Sequence, residues 1–177
     1  MLESAHNKIE AYVGVGSNLD QPVQQVLDAK LALQQLPETE LTKFSTLYVS
    51  SPMGPQDQPD YVNAVAELKT TLSAHQLLEQ LQAIETQQGR VRKQHWGART
   101  LDLDILLYGD QQINTAELVI PHAEIAQRAF VLYPLQEIAP ELDIPGHGKL
   151  SELLNACPAN GIRKLETHAL RNVHEIT

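Results

Sequence analysis

Leu101-Asp102-Leu103-Asp104-Ile105-Leu106-Leu107-Tyr108 alternates apolar and acidic residues and then turns wholly apolar. Alternation with period two is the signature of a β-strand, whose successive side chains point to opposite faces. The spacing predicts a strand over residues 100–108, closed by Gly109-Asp110. Asp102, Asp104, Leu106 and Tyr108 would share one face, and Leu101, Leu103, Ile105 and Leu107 the other. Toward the N-terminus, Ala11-Tyr12-Val13-Gly14-Val15-Gly16 reads as a buried strand. A helix follows, with Asp20 able to cap it, Pro22 in its first turn, and Val23, Val26, Leu27, Leu31 and Leu36 near helical period. Residues 41–50 suit a strand, residues 50–60 hold three prolines and a glycine and form a loop, and residues 61–71 alternate as another strand. Ser73 caps the next helix, Leu77, Leu78, Leu81 and Ile84 form its stripe, and Gly89 stops it.

Strand, helix, strand, strand, helix, strand is the ferredoxin-like βαββαβ pattern, an α+β fold with an antiparallel sheet flanked by helices. C-terminal additions follow: an irregular or hairpin segment over 113–120, a short helix near Glu124 to Arg128, and a helix over 150–156. Residues 1–157 read as one domain and 158–177 as an extension. There Ile162, Leu165, Ala169, Val173 and Ile176 fit either a weak amphipathic helix or a frayed tail.

Composition narrows the function classes. The chain has 177 residues, 42% of them apolar and 20% charged, which excludes a disordered or collagen-like polymer. Lys and Arg number 13 against 22 Asp and Glu, a net charge of −9, which disfavours nucleic acid and anionic membrane as partners. One cysteine, Cys157, permits no internal disulfide, and the N-terminus is polar. With no long apolar run, these features imply a cytoplasmic protein.

Two features carry chemistry. Asp102 and Asp104 at the edge of a largely apolar face repel each other and lose hydration, costs that a bound Mg²⁺ removes. Read alone, D-x-D is a weak signal, and an ordinary solvated sheet face is the other reading, weakened because the same face turns apolar two residues later. Just before it, Arg90, Arg92, Lys93 and Arg99 lie in a stretch without acids that also holds His95 and Trp96. Guanidinium groups beside an acidic pair suit Mg²⁺-polyphosphate chemistry. Other motifs fail: Gly14-Val15-Gly16-Ser17-Asn18-Leu19 lacks the last glycine of a dinucleotide fingerprint, and no P-loop, zinc spacing or nucleophile elbow occurs. Two other classes remain on these residues alone: a Mg²⁺-dependent nuclease or nucleotidyl hydrolase, and a non-enzymatic RNA-binding module. The charge and the 5% aromatic content disfavour the second.

The stretch His95-Trp96-Gly97-Ala98-Arg99-Thr100-Leu101-Asp102-Leu103-Asp104-Ile105-Leu106 resembles the signature of the 6-hydroxymethyl-7,8-dihydropterin pyrophosphokinase family of folate biosynthesis. Collinear segments extend the likeness over roughly residues 10–157. They are residues 13–19, 54–64 and 84–92, then Pro121-His122 and Arg128-Ala129-Phe130. The resemblance implies transfer of the β,γ-diphosphate of ATP to the pterin hydroxymethyl oxygen, with release of AMP. It implies two Mg²⁺ ions on Asp102 and Asp104, and Arg90 and Arg99 on the phosphates. Arg92 and Trp96 would belong to a closing loop. Gln82, Glu85, Ile105, His122 and Arg128 would lie near the nucleotide. Tyr61 and Phe130 would sandwich the pterin, Asn63 would read its edge, and Ser50, Ser51 and Met53 would form the pterin loop. The partners are then two small molecules, acted on by a monomer. Ser50 and Ser51 depart from the threonine and proline that the family often carries, and Glu117 and Ala123 from a basic residue and a tyrosine of some members.

Overall fold

The computed structural model describes residues 7–18, 21–50, 60–90, 101–159 and 161–165. Four strands carry the architecture: β1 (Ile9–Ser17), β2 (Thr39–Phe44), β4 (Tyr61–Thr70) and β5 (Asp102–Tyr108), with a short β3 (Tyr48–Ser50). β1 lies between β4 and β5 and is antiparallel to both. β2 and β3 pair in succession along the outer edge of β4. Helices α1 (Pro22–Gln34) and α2 (Ala74–Arg90) connect these strands in the ferredoxin-like order read from the sequence.

The strand expected over 41–50 is broken because Ser45 intervenes. Its N–H bonds the Val65 carbonyl, and its Oγ accepts the Val65 N–H at 3.0 Å, replacing a main-chain partner. In α1 the buried apolar residues are Val26, Ala29 and Leu33, whereas Leu31, expected on the stripe, is 57% exposed. Its N-cap is Gln21, with positive φ and no side-chain cap; Asp20 lies outside the described residues. α2 begins as expected at Ser73, in a reciprocal cap. Ser73 Oγ accepts the Gln76 N–H at 3.1 Å, and Gln76 Oε1 accepts the Ser73 N–H at 2.9 Å. The helix runs through Gly89 to Arg90, so Gly89 does not stop it.

β5 departs from simple alternation. Val13 faces Ile105 but Tyr12 faces Leu107, which leaves Leu106 as one extra residue, a β-bulge. Asp102, Asp104 and Leu106 share a face as read. Past the bulge the parity reverses, so Leu107 joins Leu106 in one core while Tyr108 turns to the other. The Tyr108 hydroxyl donates to the Leu72 carbonyl there.

The first core packs α1 and α2 on Val13, Val15, Ala64, Ala66, Leu103 and Ile105. The opposite face carries α3 (Ala129–Ile138) and α4 (Leu150–Asn155), packed on Tyr12, Val65, Leu106 and Leu107. Hairpin β6/β7 (Ile113–Asn114 and Val119–Ile120) and a 3-10 turn (Ile125–Gln127) precede α3, and hairpin β8/β9 (Asp143–Ile144 and Gly148–Lys149) precedes α4. Past α4, Ile162–Lys164 forms β10, antiparallel to β3. The helix considered for this segment is therefore not present at Ile162–Lys164; residues 166–177 lie outside the described part.

Candidate active site

On the α3 side, one end of the sheet is covered by no helix among the described residues, and there β1 contributes no side chains. Gly14 pairs with Asp104 and Val65, and Gly16 pairs with Asp102 and Asn63. Directly paired residues share a face, so two bare backbone positions lie between two carboxylates and an amide. A Cβ on Gly16 would stand 2.9 Å from Asn63 Nδ2, so glycine there is what lets the amide occupy its place. Ser50 donates from Oγ to Asn63 Oδ1 at 2.9 Å, which orients that amide.

Above this floor is a cavity of about 610 Å³. Ser50, Tyr61, Asn63, Asp102, Asp104, Arg128 and Phe130 all line it. Arg128 lies with its guanidinium carbon 5.5 Å from the centroid of the Phe130 ring, and it is paired with Glu124, another lining residue. A second cavity of about 210 Å³ is lined by Ile105, Glu117, His122, Ala123 and, again, Asp104. Asp104 therefore borders both cavities.

β5 is an edge strand, and two of its outward backbone groups are taken up by neighbours. Glu85 Oε2 accepts the Leu103 N–H at 2.7 Å, holding the backbone between the two aspartates. The His122 N–H bonds the Leu106 carbonyl at 3.0 Å. His122 Nδ1 in turn accepts the Glu124 N–H at 3.2 Å. Gln82 is exposed on α2 and lines neither cavity. Arg90 ends α2; its side chain, with Ser51, Met53, Arg92, Trp96 and Arg99, lies outside the described residues.

Among the described residues no cluster of three or more Asp, Glu, His or Cys surrounds a point where a metal could bind. Two half-buried carboxylates on one face nevertheless suit Mg²⁺, which keeps most of its shell for water and phosphate oxygens.

Sequence reasoning missed the wall opposite the aspartates. Cys157, Pro158, Gly161 and Ile162 line the larger cavity, although the sequence assigns the tail no role. It also missed two buttresses. Tyr12 donates to Glu67 Oε2 at 2.6 Å and Thr42 to Glu67 Oε1 at 2.7 Å, behind the site. Tyr48 and Thr46 both donate to Glu137 of α3, at 2.8 Å each. Burial, together with the bonded carboxylates Glu67 and Glu137, pushes the Tyr12 and Tyr48 phenols above their ordinary range.

The family model of 7,8-dihydro-6-hydroxymethylpterin-pyrophosphokinase (HPPK) matches residues 12–140. The 2-amino-4-hydroxy-6-hydroxymethyldihydropteridine pyrophosphokinase of Pseudomonas aeruginosa is 53% identical over 154 residues, 87% of this chain and 95% of that one. The Haemophilus influenzae protein of the same name is 53% identical over 82% of this chain and 91% of its own length. Among solved structures, Plasmodium falciparum HPPK-DHPS superposes with a TM-score of 0.66 at 14% identity. That match covers 84% of this chain and 43% of the longer protein, and it is a likeness of fold. The carboxylate pair beside an amide-and-aromatic cavity thus sits in a chain that belongs to the 7,8-dihydro-6-hydroxymethylpterin-pyrophosphokinase family and is a pyrophosphokinase.

Proposed function

We propose that the two cavities hold the two substrates of diphosphate transfer, 6-hydroxymethyl-7,8-dihydropterin in the larger and ATP reaching it from the smaller. The observation that carries this reading is the position of Asp104, which lines both cavities beside Asp102. A reaction between two bound molecules takes place where their sites meet, and charge has to be neutralised there.

Tyr61 and Phe130 offer aromatic faces to a flat heteroaromatic ring. Asn63 presents donor and acceptor together, with its oxygen already bonded by Ser50 and its Nδ2 free to donate to a ring acceptor. Asp102 and Asp104 would hold two Mg²⁺ ions, which when bound neutralise the polyphosphate. The hydroxymethyl oxygen forms its bond to the β-phosphorus as the bond to the α,β-bridging oxygen breaks and AMP leaves, and the hydroxyl proton is released to solvent. Glu85 acts on this step indirectly, by fixing the Leu103 backbone between the two aspartates. By the family resemblance, Arg90 and Arg99 contact the phosphates, Arg92 and Trp96 close over them, Ser51 and Met53 flank the pterin, and His122, which lines the smaller cavity, adjoins the nucleotide; Gln82, bordering neither cavity, is left without a contact.

The product feeds folate biosynthesis. The enzyme works as a cytoplasmic monomer. In support, Leu31 and Val119 are the two exposed large hydrophobics among the described residues. No helix among those residues is long and apolar enough to cross a membrane.

Product analysis tests the reaction. With ATP, Mg²⁺ and the pterin, AMP should form only when the pterin is present. Formation of ADP, or phosphate release without pterin, overturns the assignment.

A further inference from the structure

We infer that Ile162, on β10, is a specificity-determining residue that closes the acceptor pocket on the side remote from the aspartates. The inference rests on the larger cavity being the pterin site. Ile162 lies opposite Ser50, and Ser50 lies opposite Tyr61, so the three form one row across β10, β3 and β4. Paired residues share a face, and all three line the cavity. The next position in the site face of β4 is Asn63, whose oxygen Ser50 holds. Ile162 is therefore one strand beyond the group that orients the edge-reading amide.

The wall is built, not draped. The Ile162 N–H bonds the Ala159 carbonyl at 3.2 Å, and Tyr133 donates to the Cys157 carbonyl at 3.0 Å. The Leu165 N–H bonds the Leu47 carbonyl at 2.8 Å, and the Leu165 side chain packs on the other core. These bonds fix a half-buried branched apolar side chain at the cavity edge. In the sheet order β10-β3-β4-β1-β5, it stands four strand spacings from Asp102 and Asp104, about 19 Å. At that distance it meets the ring and not the phosphates. It limits how far a flat ring can slide away from Asn63, and so which rings leave their hydroxymethyl group within reach of the aspartates.

The test compares the full chain with Ile162→Ala, Ile162→Val and Ile162→Phe. 6-Hydroxymethylpterin binding is followed by its fluorescence, and α,β-methylene-ATP binding by calorimetry. Ile162→Ala should weaken pterin binding and raise the pterin KM on the order of tenfold, with kcat and the ATP KM within about twofold. Ile162→Val should retain most of the affinity. Ile162→Phe, which keeps a strand-forming residue but enlarges it, should exclude the pterin while binding the nucleotide normally. Pterin affinity unchanged in both the Ala and Phe variants overturns the inference alone. Equal losses of pterin and nucleotide binding also overturn it, because they mark a purely structural role. No pterin binding by the unsubstituted chain overturns the reading of the cavity, and this inference with it.

Discussion

The two faces of the central sheet are made by alternate residues of the same strands, yet they are built for opposite ends. Toward α1 and α2, Val13, Val15, Ala64, Ala66, Leu103 and Ile105 are all less than 5% exposed, and the layer is apolar throughout. Toward α3 and α4, only Tyr12, Val65, Leu106 and Leu107 pack as core. Beyond them the strands present glycine backbone, Asn63 and two aspartates to a cavity. The difference shows how a small domain can keep polar groups half-buried. One face supplies the stabilisation that lets the other forgo close packing. β5 does both within seven residues, and the bulge at Leu106 is where its site face passes into core.

The sharpest way to break the comparison is to substitute neighbours of β5 that point to opposite faces. Asp104→Ala or Asp102→Ala should lower kcat at least about a hundredfold, since the Mg²⁺ proposed to neutralise the polyphosphate would lose a ligand. The thermal midpoint should hardly fall. Full turnover in either variant would remove the metal assignment. Leu103→Ala should do the reverse. It costs about 2–5 kcal/mol of stability by leaving a cavity under α2, while the folded fraction keeps its turnover. Denaturant unfolding and initial rates, measured on the same preparations, separate the two effects.

The site lay nearer the surface of the sequence than parts of the fold did. β4, β5 and α2 follow from periodicity, β1 from a short apolar run bounded by turn residues, and the shared face of Asp102 and Asp104 from a spacing of two. Tyr108 could not be placed this way, because a single extra residue reverses parity and leaves no mark on composition. α3 escaped because Ala129–Ile138 is apolar nearly all round and contains Pro134, so it shows neither an amphipathic period nor an ordinary helix interior. Ile162 and Leu165 sit at helical spacing, but pairing with β3, more than a hundred residues earlier, decides their state. The same non-locality hid the Glu85 bond to Leu103 and the cavity wall at Cys157 and Ile162. Asn63, Tyr61 and Phe130 were legible only through family resemblance, since no local pattern distinguishes them from core.

A smaller effect is expected at the cavity floor, where the two glycines should respond differently. Gly16→Ala brings a Cβ to 2.9 Å from Asn63 Nδ2, so the amide must shift while Ser50 still holds its oxygen. The pterin KM should rise on the order of tenfold with little change in the ATP KM. Gly14→Ala meets Leu106 Cδ2 at 3.4 Å, close to an ordinary contact, and should raise the pterin KM less. Equal pterin KM values in the two variants would show that Asn63 does not read the ring.

The smallest effect concerns the buttress behind the pocket and is seen through pH. Glu137 of α3 accepts the Thr46 N–H at 2.9 Å as well as the Thr46 and Tyr48 hydroxyls, binding α3 to the break between β2 and β3. Burial alone would raise its carboxyl. Those three bonds and the nearby Lys164 outweigh burial and hold it below the usual carboxylate range. A carboxylate more acidic in the folded chain than in the unfolded one stabilises the fold at neutral pH. That contribution is lost as pH falls from the ordinary carboxylate value toward the lowered one. Glu137 is exposed, so solvent screens these interactions: Glu137→Gln should cost less than about 1 kcal/mol near neutrality, and the difference should shrink below about pH 4. Urea unfolding at several pH values between roughly 3 and 8 measures both. A gap that stays constant across that range would mean that the shape of the side chain, and not its charge, joins α3 to the strand that carries Ser50.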